Sequence, residues 1–198
     1  MKVAITGTSR GLGFALKSNL CAKWIPSDLN RPDYDISTVE GRDNIIEYLI
    51  KNDIRVFVNN AHDDFAQTKL LQRVYNIWKD DEKKIIININ SRAKYSNLSK
   101  GHMYSASKSS LSHLSDILKF TTNKQCKIID VNFGLLESDL PSISYNDAAD
   151  YIIWTMNRPQ HVEISEISIC NTKPYTEVQK QKQIKLNESR KNMGRGRS

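Results

Sequence analysis

The sequence predicts an α/β protein built on a doubly wound parallel sheet in three layers, α/β/α. Short apolar runs alternate with segments of helical periodicity along most of the chain, which is typical of parallel sheets with right-handed crossovers. Some runs are nearly continuous, as in residues 54–60 and 84–90, and this indicates strands that are covered on both faces. A glycine-rich turn follows the first run directly, at residues 7–13.

The composition is typical of one globular domain, with 198 residues of which 39% are hydrophobic and 26% charged. No apolar run is long enough to cross a bilayer, and no signal-peptide pattern opens the chain, so we expect a cytoplasmic protein. The three cysteines are far apart without a C-x-x-C, and the four histidines lack metal-ligand spacing. We therefore expect reduced thiols and no metal site.

The net charge of +7 is concentrated at one end of the chain. Residues 171–198 contain eight basic and two acidic residues, so the rest of the chain is close to neutral. We expect a single domain over residues 1–173 and a basic, disordered tail over residues 174–198. The tail could contact nucleic acid or an acidic partner, and the alternative is a solvated end.

The same patterns predict the individual elements. Strands are expected at residues 2–6, 54–60, 84–90, 127–133 and 162–169, with a truncated second strand at 24–26 and the end of a third element at 33–36. Helices are expected directly after the glycine-rich turn and then at residues 39–52, 63–79, 104–120 and 146–156.

The turn has the spacing Gly7-x3-Gly11-x-Gly13 between a strand and a helix. Such a turn lets the backbone approach a pyrophosphate, whose charge is held by the amides and the dipole at the helix start. No Gly-Lys-Ser/Thr follows, so the turn is not a P-loop.

The chain after the second strand usually meets an adenosine ribose in such folds. Asp28 would suit a free 2′-hydroxyl, whereas Arg10 and Arg31 would suit a 2′-phosphate. Loop charges that face water are the alternative for each of the three.

A candidate proton-transfer pair lies in the predicted helix at residues 104–120. Tyr104 and Lys108 are four positions apart and therefore share one helical face. The unperturbed pKa of tyrosine is about 10, and a neighbouring lysine cation lowers it. Ser91, at the end of a predicted strand, could hold a substrate oxygen against this pair.

Together these motifs resemble the short-chain dehydrogenase/reductase family, of the Ser-Tyr-Lys type, as a compact member with a near-absent substrate lid. The resemblance covers roughly residues 1–173. It rests on the Thr6-Gly7-x3-Gly11-x-Gly13 turn, Asn59-Asn60-Ala61 after the fourth strand, Ser91, Tyr104, Lys108, and Asn132 with Gly134 after the sixth strand. It implies a Rossmann-like fold and an NAD(P)-dependent oxidoreductase that interconverts a small-molecule carbonyl and an alcohol.

The resemblance also implies a role for each site residue. Tyr104 would be the acid/base, Lys108 would lower its pKa and hold the nicotinamide ribose, and Ser91 would bind the reacting oxygen. Arg10 favours NADP(H), with NAD(H) as the alternative. The cofactor contacts implied by position are Gly7, Thr8, Ser9, Arg10, Gly11, Leu12, Gly13, Asp35, Asn60, Ala61, His62, Tyr104, Lys108, Gly134 and Ser138.

Five departures from the family pattern are visible. From Asn60 to Ser91 there are only 31 positions, about twenty fewer than usual in the family, and Phe133-Gly134 replaces the usual Pro-Gly. His62 stands where the family has glycine, and Asp63 stands where it often has a further catalytic asparagine. Only about eight residues, 138–145, replace the usual lid. This predicts an open site, for a large or tethered substrate or for weak catalysis.

The predicted helical faces at residues 68–78 and 105–118 commonly pair in this family, so we expect a homodimer or homotetramer. A monomer in light scattering at micromolar concentration would contradict this. A catalytically weak dinucleotide-binding sensor or scaffold is the alternative function. A nucleic-acid or acidic-partner adaptor working through the tail is a third.

Overall fold

The structure, a computed structural model, describes residues 1–95, 101–138 and 141–172, together with Lys180, Ile184 and Asn187. The predicted tail therefore lies outside the described residues, apart from those last three. Six strands form one parallel sheet, which confirms the predicted doubly wound, Rossmann-like fold. They are β1 (Lys2–Thr6), β2 (Ile25–Leu29), β3 (Val56–Asn59), β4 (Ile85–Ser91), β5 (Lys127–Phe133) and β6 (Glu166–Ile169), in the order β2-β1-β3-β4-β5-β6.

Within residues 1–172, five α-helices of the described part of the chain cover the two faces of this sheet. They are α1 (Gly11–Asn19), α2 (Val39–Lys51), α3 (Ala66–Trp78), α4 (His102–Lys119) and α5 (Tyr145–Met156), with a short 3₁₀ helix at Arg92–Lys94. Strand side chains alternate between two cores: Val3 and Ile5 face α1 and α5, whereas Ala4 faces α2, α3 and α4. Among the described helices, none is long and apolar enough to span a membrane.

The expectation of a third element that ends at residues 33–36 is wrong, because this segment forms turns instead of a strand. The Asp35 carboxylate accepts a hydrogen bond from the Ser37 N–H at 2.9 Å, and Thr38 then caps α2. These local bonds compete with strand pairing. As a result β2, with Pro26, is an edge strand, and the strands expected to be fourth and sixth are the third and fifth.

A buried polar ladder crosses the centre of the sheet. Asn59, Asn88 and Asp130 are register partners on β3, β4 and β5, joined by hydrogen bonds of 3.1 and 3.0 Å. The Lys119 ammonium lies 2.7 Å from the other Asp130 oxygen. Burial raises the pKa of Asp130, although Lys119 acts in the opposite direction. The ladder therefore ends in a buried ion pair.

Replacing Asp130 with asparagine is expected to lower the free energy of unfolding by about 3 kcal/mol, because the buried Lys119 ammonium loses its counter-charge. The matched control is Asp116→Asn. This carboxylate is 51% exposed and lies 3.4 Å from the same ammonium, so its loss should cost less than about 1 kcal/mol. Urea denaturation measures both, and equal effects would contradict this account.

Candidate active site

The carboxyl ends of the central strands open into one cavity of about 860 Å³, where ligands bind in open parallel sheets. Most of the predicted site residues line it. They are Gly7, Ser9, Arg10, Gly11, Leu12, Asn60, Ala61, His62, Ser91, Tyr104, Lys108 and Gly134. The predicted contacts Thr8, Gly13, Asp35 and Ser138 lie outside this lining.

The glycine-rich turn is braced on both sides. The Asn60 amide donates to the carbonyls of Thr6 at 2.8 Å and Gly7 at 3.1 Å. On the other side, the Asn30 carbonyl accepts from the Thr8 N–H and its amide donates to Thr8 Oγ1, both at 2.8 Å. Gly7 has a φ of +72°, which only glycine adopts without strain. The turn is therefore held in shape by the protein itself.

The helix that follows begins without a cap. Among the described residues no side chain caps α1 at Arg10, and its first turn contains no acidic residue. The first N–H groups of any α-helix have no intrahelical partner. In α1 no side-chain cap from the described residues takes the place of that partner. A β-carbon at Gly13 would lie 2.1 Å from the Gly7 carbonyl oxygen, so turn and helix are in direct contact. This arrangement suits an anion such as a pyrophosphate.

Tyr104 and Lys108 lie on one face of α4. The Lys108 Nζ is 5.9 Å from the centroid of the Tyr104 ring. The phenol is 38% exposed, whereas the lysine is only 4% exposed. Burial lowers the pKa of Lys108 to about 7. The cavity wall thus combines an accessible phenol with an amine that changes charge near neutral pH.

Two oxygen atoms hold the Lys108 amine. Nζ donates to Gln67 Oε1 at 2.8 Å and to the Ile89 carbonyl at 3.0 Å. The Gln67 amide, 1% exposed, donates to the carbonyls of Asn59 and Ile89. Among the described residues no carboxylate pairs with Nζ, so no counter-charge offsets its desolvation. Gln67 therefore ties the lysine of α4 to β3 and β4.

His62, which stands where the family has glycine, lies beside Ser107 and Tyr104. Its Nε2 lies 3.1 Å from Ser107 Oγ, and the Ser107 hydroxyl donates to the Tyr104 carbonyl at 2.9 Å. Nε2 must therefore be the donor. The imidazole ring also contacts the Tyr104 ring edge-on, at 5.0 Å between centroids. Burial, and then the charge of Lys108, lower the pKa of His62.

Ser91 is fixed at the end of β4. Its Oγ accepts from the Ala93 N–H at 3.1 Å, which leaves its own proton available for donation. Ser105 and Ser109 of α4 donate to carbonyls of the 3₁₀ helix at 2.6 and 2.7 Å. These bonds fasten the segment after Ser91 to the helix that carries Tyr104, so both hydroxyls line the same cavity.

The end of the cavity next to β2 carries the charged side chains considered for the ribose 2′ position. Arg10 and Arg31 line the cavity. Asp28 does not, and its carboxylate pairs with a lysine of α1. The Arg31 guanidinium contacts Asp35 at 2.9 Å and Asp63 at 3.0 Å. Of the two alternatives left open by the sequence, the arginines are the ones that face the cavity.

A short connection stands in place of a lid. After β5, Leu136 forms an isolated β-bridge with Ile143, and the Ile143 N–H donates to the Leu135 carbonyl at 2.9 Å. Ser138 is exposed within this connection, and residues 139–140 lie outside the described part of the chain. The helix α5 therefore begins close to the cavity.

Three carboxylates elsewhere lie near enough to hold a metal ion, with oxygens of Asp116, Asp130 and Glu166 within 4.8 Å of one another. Lysine ammonium groups already pair with all three. Lys119 contacts both aspartates, and Lys94 lies 2.9 Å from Glu166. We therefore assign this cluster to structural ion pairs.

No family model and no curated protein matches this sequence, but solved structures do match. Serine dehydrogenase from Escherichia coli matches with a TM-score of 0.65 at 18% identity, over 89% of this chain and 99% of that one. An alcohol dehydrogenase from Thermococcus sibiricus, complexed with 5-hydroxy-NADP, has a TM-score of 0.71 at 14% identity, over 88% and 99%. A short-chain dehydrogenase/reductase from Vibrio parahaemolyticus has a TM-score of 0.64 at 17% identity, over 84% and 98%.

The chain has the short-chain dehydrogenase/reductase fold. At these identities the likeness establishes the fold and not the roles of individual residues. In this chain the short connection between β5 and α5 contributes Leu136 and Tyr145 to the cavity lining.

Sequence reasoning missed part of the site of this short-chain dehydrogenase/reductase fold. The additional lining residues are Leu29, Asn30, Tyr34, Ile36, Ile89, Asn90 and Phe133. The segment 135–145, which the sequence indicates as shaping the pocket, contributes Leu136 and Tyr145. Gln67, behind the cavity, was also missed. A helical wheel of α3 would have found Gln67, because it shares the buried face of Leu70 and Leu71. No local signal marks Tyr145.

Proposed function

We propose that this chain is an NAD(P)-dependent oxidoreductase that interconverts a carbonyl and an alcohol. The observation that carries the proposal is the meeting of Ser91, Tyr104 and Lys108 with the glycine-rich turn in one cavity. The solved structures of the same fold include a serine dehydrogenase complexed with NADP⁺ and a 3-alpha-hydroxysteroid dehydrogenase complexed with NADH. That likeness supports the cofactor class.

The residues present fit a dinucleotide. The uncapped start of α1 suits a pyrophosphate. A side chain at Gly13 would collide with the turn, and the cradle beside Gly7 is bounded by Ala61, whose Cβ would be 3.2 Å from an added β-carbon. Asn60 and Ala61 follow β3 directly and line the cavity. A nicotinamide dinucleotide bound there would supply or accept the hydride.

The side chains of this chain would handle the proton. In the reducing direction, Tyr104 Oη donates its proton to the carbonyl oxygen, and Ser91 Oγ donates a hydrogen bond to the same oxygen. Negative charge then develops on the phenol oxygen, and the positive charge of a protonated Lys108, one helical turn away, stabilises it. Gln67 and the Ile89 carbonyl keep that amine in place.

We further propose a preference for NADP(H) over NAD(H). Arg10 and Arg31 line the cavity next to β2, whereas the Asp28 carboxylate is engaged elsewhere. A guanidinium binds a 2′-phosphate through charge-assisted, bidentate hydrogen bonds. The Asp35 and Asp63 carboxylates hold Arg31 in this position.

Titration of the purified protein with NADPH and NADH tests both proposals. We expect NADPH to bind more tightly, and Arg31→Ala to weaken NADPH by about tenfold while changing NADH little, because only NADPH has the 2′-phosphate. Lys17→Ala is the control, since it removes an equal surface charge outside the cavity. Tighter NADH binding would contradict the preference, and binding of neither would contradict the function.

The remaining expectations stay predictions. The predicted homo-oligomer is supported by apolar side chains on α4 and just beyond it, where Met103 is 60%, Ile117 52% and Phe120 87% exposed. The single domain over residues 1–173, the cytoplasmic location and a small-molecule carbonyl or alcohol substrate are proposed on the same terms as the activity.

A further inference from the structure

Tyr145 is a cavity residue that none of the recognised motifs includes. It is the first residue of α5, half-buried, and its ring packs against the core between α1, α5 and the sheet. The hydroxyl end of the ring reaches the glycine-rich turn. A β-carbon at Gly11 would lie 3.5 Å from both Cζ and Oη of Tyr145. The phenol therefore lies over the start of α1.

The short connection after β5 fixes this position. The Tyr145 N–H donates to Glu137 Oε1 at 2.8 Å, and the Glu137 N–H donates to the Ile143 carbonyl at 3.0 Å. Ser144 caps α5 by accepting from the Asp147 N–H at 3.0 Å. The compact connection holds the Tyr145 backbone close to the turn.

The chemistry of this location favours an anion. Gly11 has a φ of +62° and opens a helix whose first N–H groups are uncapped, which attracts negative charge. Among the described residues, Tyr145 Oη has no hydrogen-bond partner. A neutral phenol that points its donor at such a site adds a charge-assisted hydrogen bond to a bound phosphate without adding charge of its own.

We propose that the Tyr145 hydroxyl donates a hydrogen bond to the pyrophosphate of the bound dinucleotide. This proposal rests on the proposed function. With this contact, the start of α5 would cover the phosphates, which is a role that a longer lid could otherwise have. It also predicts that the contribution of Tyr145 is confined to ligands that contain the pyrophosphate.

Three ligands show which part of the dinucleotide Tyr145 contacts. They are NADPH, ADP-ribose 2′-phosphate, which lacks the nicotinamide, and adenosine 2′-monophosphate, which lacks the pyrophosphate. Dissociation constants are measured with the full chain, by titration or competition. We expect Tyr145→Phe to weaken the first two by about tenfold, the usual effect of losing a hydrogen bond to a charged group. Adenosine 2′-monophosphate should bind as before.

Tyr151→Phe is the matched control, because Tyr151 lies on the same helix, is 45% exposed and is outside the cavity lining. It should change none of the three constants. Unchanged NADPH affinity in Tyr145→Phe would overturn the role of Tyr145 alone, as would an equal loss for all three ligands. A wild-type protein that binds neither NADPH nor NADH would overturn the proposed function together with this inference.

Discussion

Replacing Tyr104 with phenylalanine is expected to lower carbonyl turnover by roughly 10²–10⁴-fold, while dinucleotide affinity changes by less than about threefold. The substitution removes only the oxygen that carries the proton. The phenyl ring keeps its edge contact with His62, at 5.0 Å between centroids, and its place 5.9 Å from the Lys108 Nζ. The substitution therefore removes the proton donor and leaves the contacts of the ring in place.

The measurement for Tyr104→Phe is NADPH oxidation with a panel of aldehydes and ketones, alongside an NADPH titration of the same preparation. Tyr95→Phe is the control, because Tyr95 is exposed just after the 3₁₀ helix and outside the cavity lining. It should retain the wild-type rate. Equal turnover by Tyr104→Phe and wild type would show that another group carries the proton. Tight NADPH binding without turnover in either protein would favour the sensor or scaffold alternative.

The sequence predicted the parts of the site that depend on local pattern. β1 and β5 have the predicted bounds, and Ser91, Tyr104 and Lys108 line the cavity. Apolar runs, glycine spacing and the i, i+4 relation are all short-range signals. They are sufficient because the carboxyl ends of parallel strands meet at one edge of the sheet.

The parts that sequence reasoning missed depend on packing between distant segments. The sequence drew attention to Asp63, which stands where the family often has a further catalytic asparagine. Its carboxylate contacts Arg31, and it is Gln67 that holds Lys108. That pairing depends on how α3 packs beside α4. Tyr145 reaches Gly11 only because α1 and α5 pack on the same face. No window of the sequence contains both partners of either contact.

The turn at residues 33–36 shows a different limit. Asp33-Tyr34-Asp35-Ile36 is too short for strand and turn to be distinguished by periodicity. What decides is the Asp35 carboxylate, which bonds to the Ser37 backbone, and the burial of Ile36 against α2. A side chain with two acceptor oxygens favours the turn.

Replacing Lys108 with methionine is expected to abolish turnover and yet to stabilise the free protein at neutral pH. The lysine is buried without a carboxylate partner, and burial lowers its pKa from 10.5 to about 7. At 1.36 kcal/mol per unit, such a shift corresponds to an energetic cost of roughly 5 kcal/mol for the charged form. Methionine removes this cost but leaves Gln67 Oε1 without its donor, which costs about 1–3 kcal/mol.

The pH dependence tests this cause. Between the folded pKa near 7 and the unfolded value of 10.5, the unfolded chain holds the proton of Lys108 more firmly than the folded chain does. Wild-type stability from this group therefore rises with pH across that window and is lowest below pH about 7. The advantage of Lys108→Met should be largest near pH 7 and should shrink by roughly 3–4 kcal/mol towards pH 10.

Lys119→Met gives the opposite expectation on the same helix. The Lys119 side chain is only 5% exposed, but it pairs with the fully buried Asp130 carboxylate at 2.7 Å. Its removal leaves that charge uncompensated and should lower the free energy of unfolding by about 3 kcal/mol. Urea denaturation of both variants without cofactor, at several pH values, makes the comparison. If Lys108→Met were destabilised as strongly as Lys119→Met, or its advantage did not change with pH, a buried Lys108 ammonium without a counter-charge would not be the source of the cost.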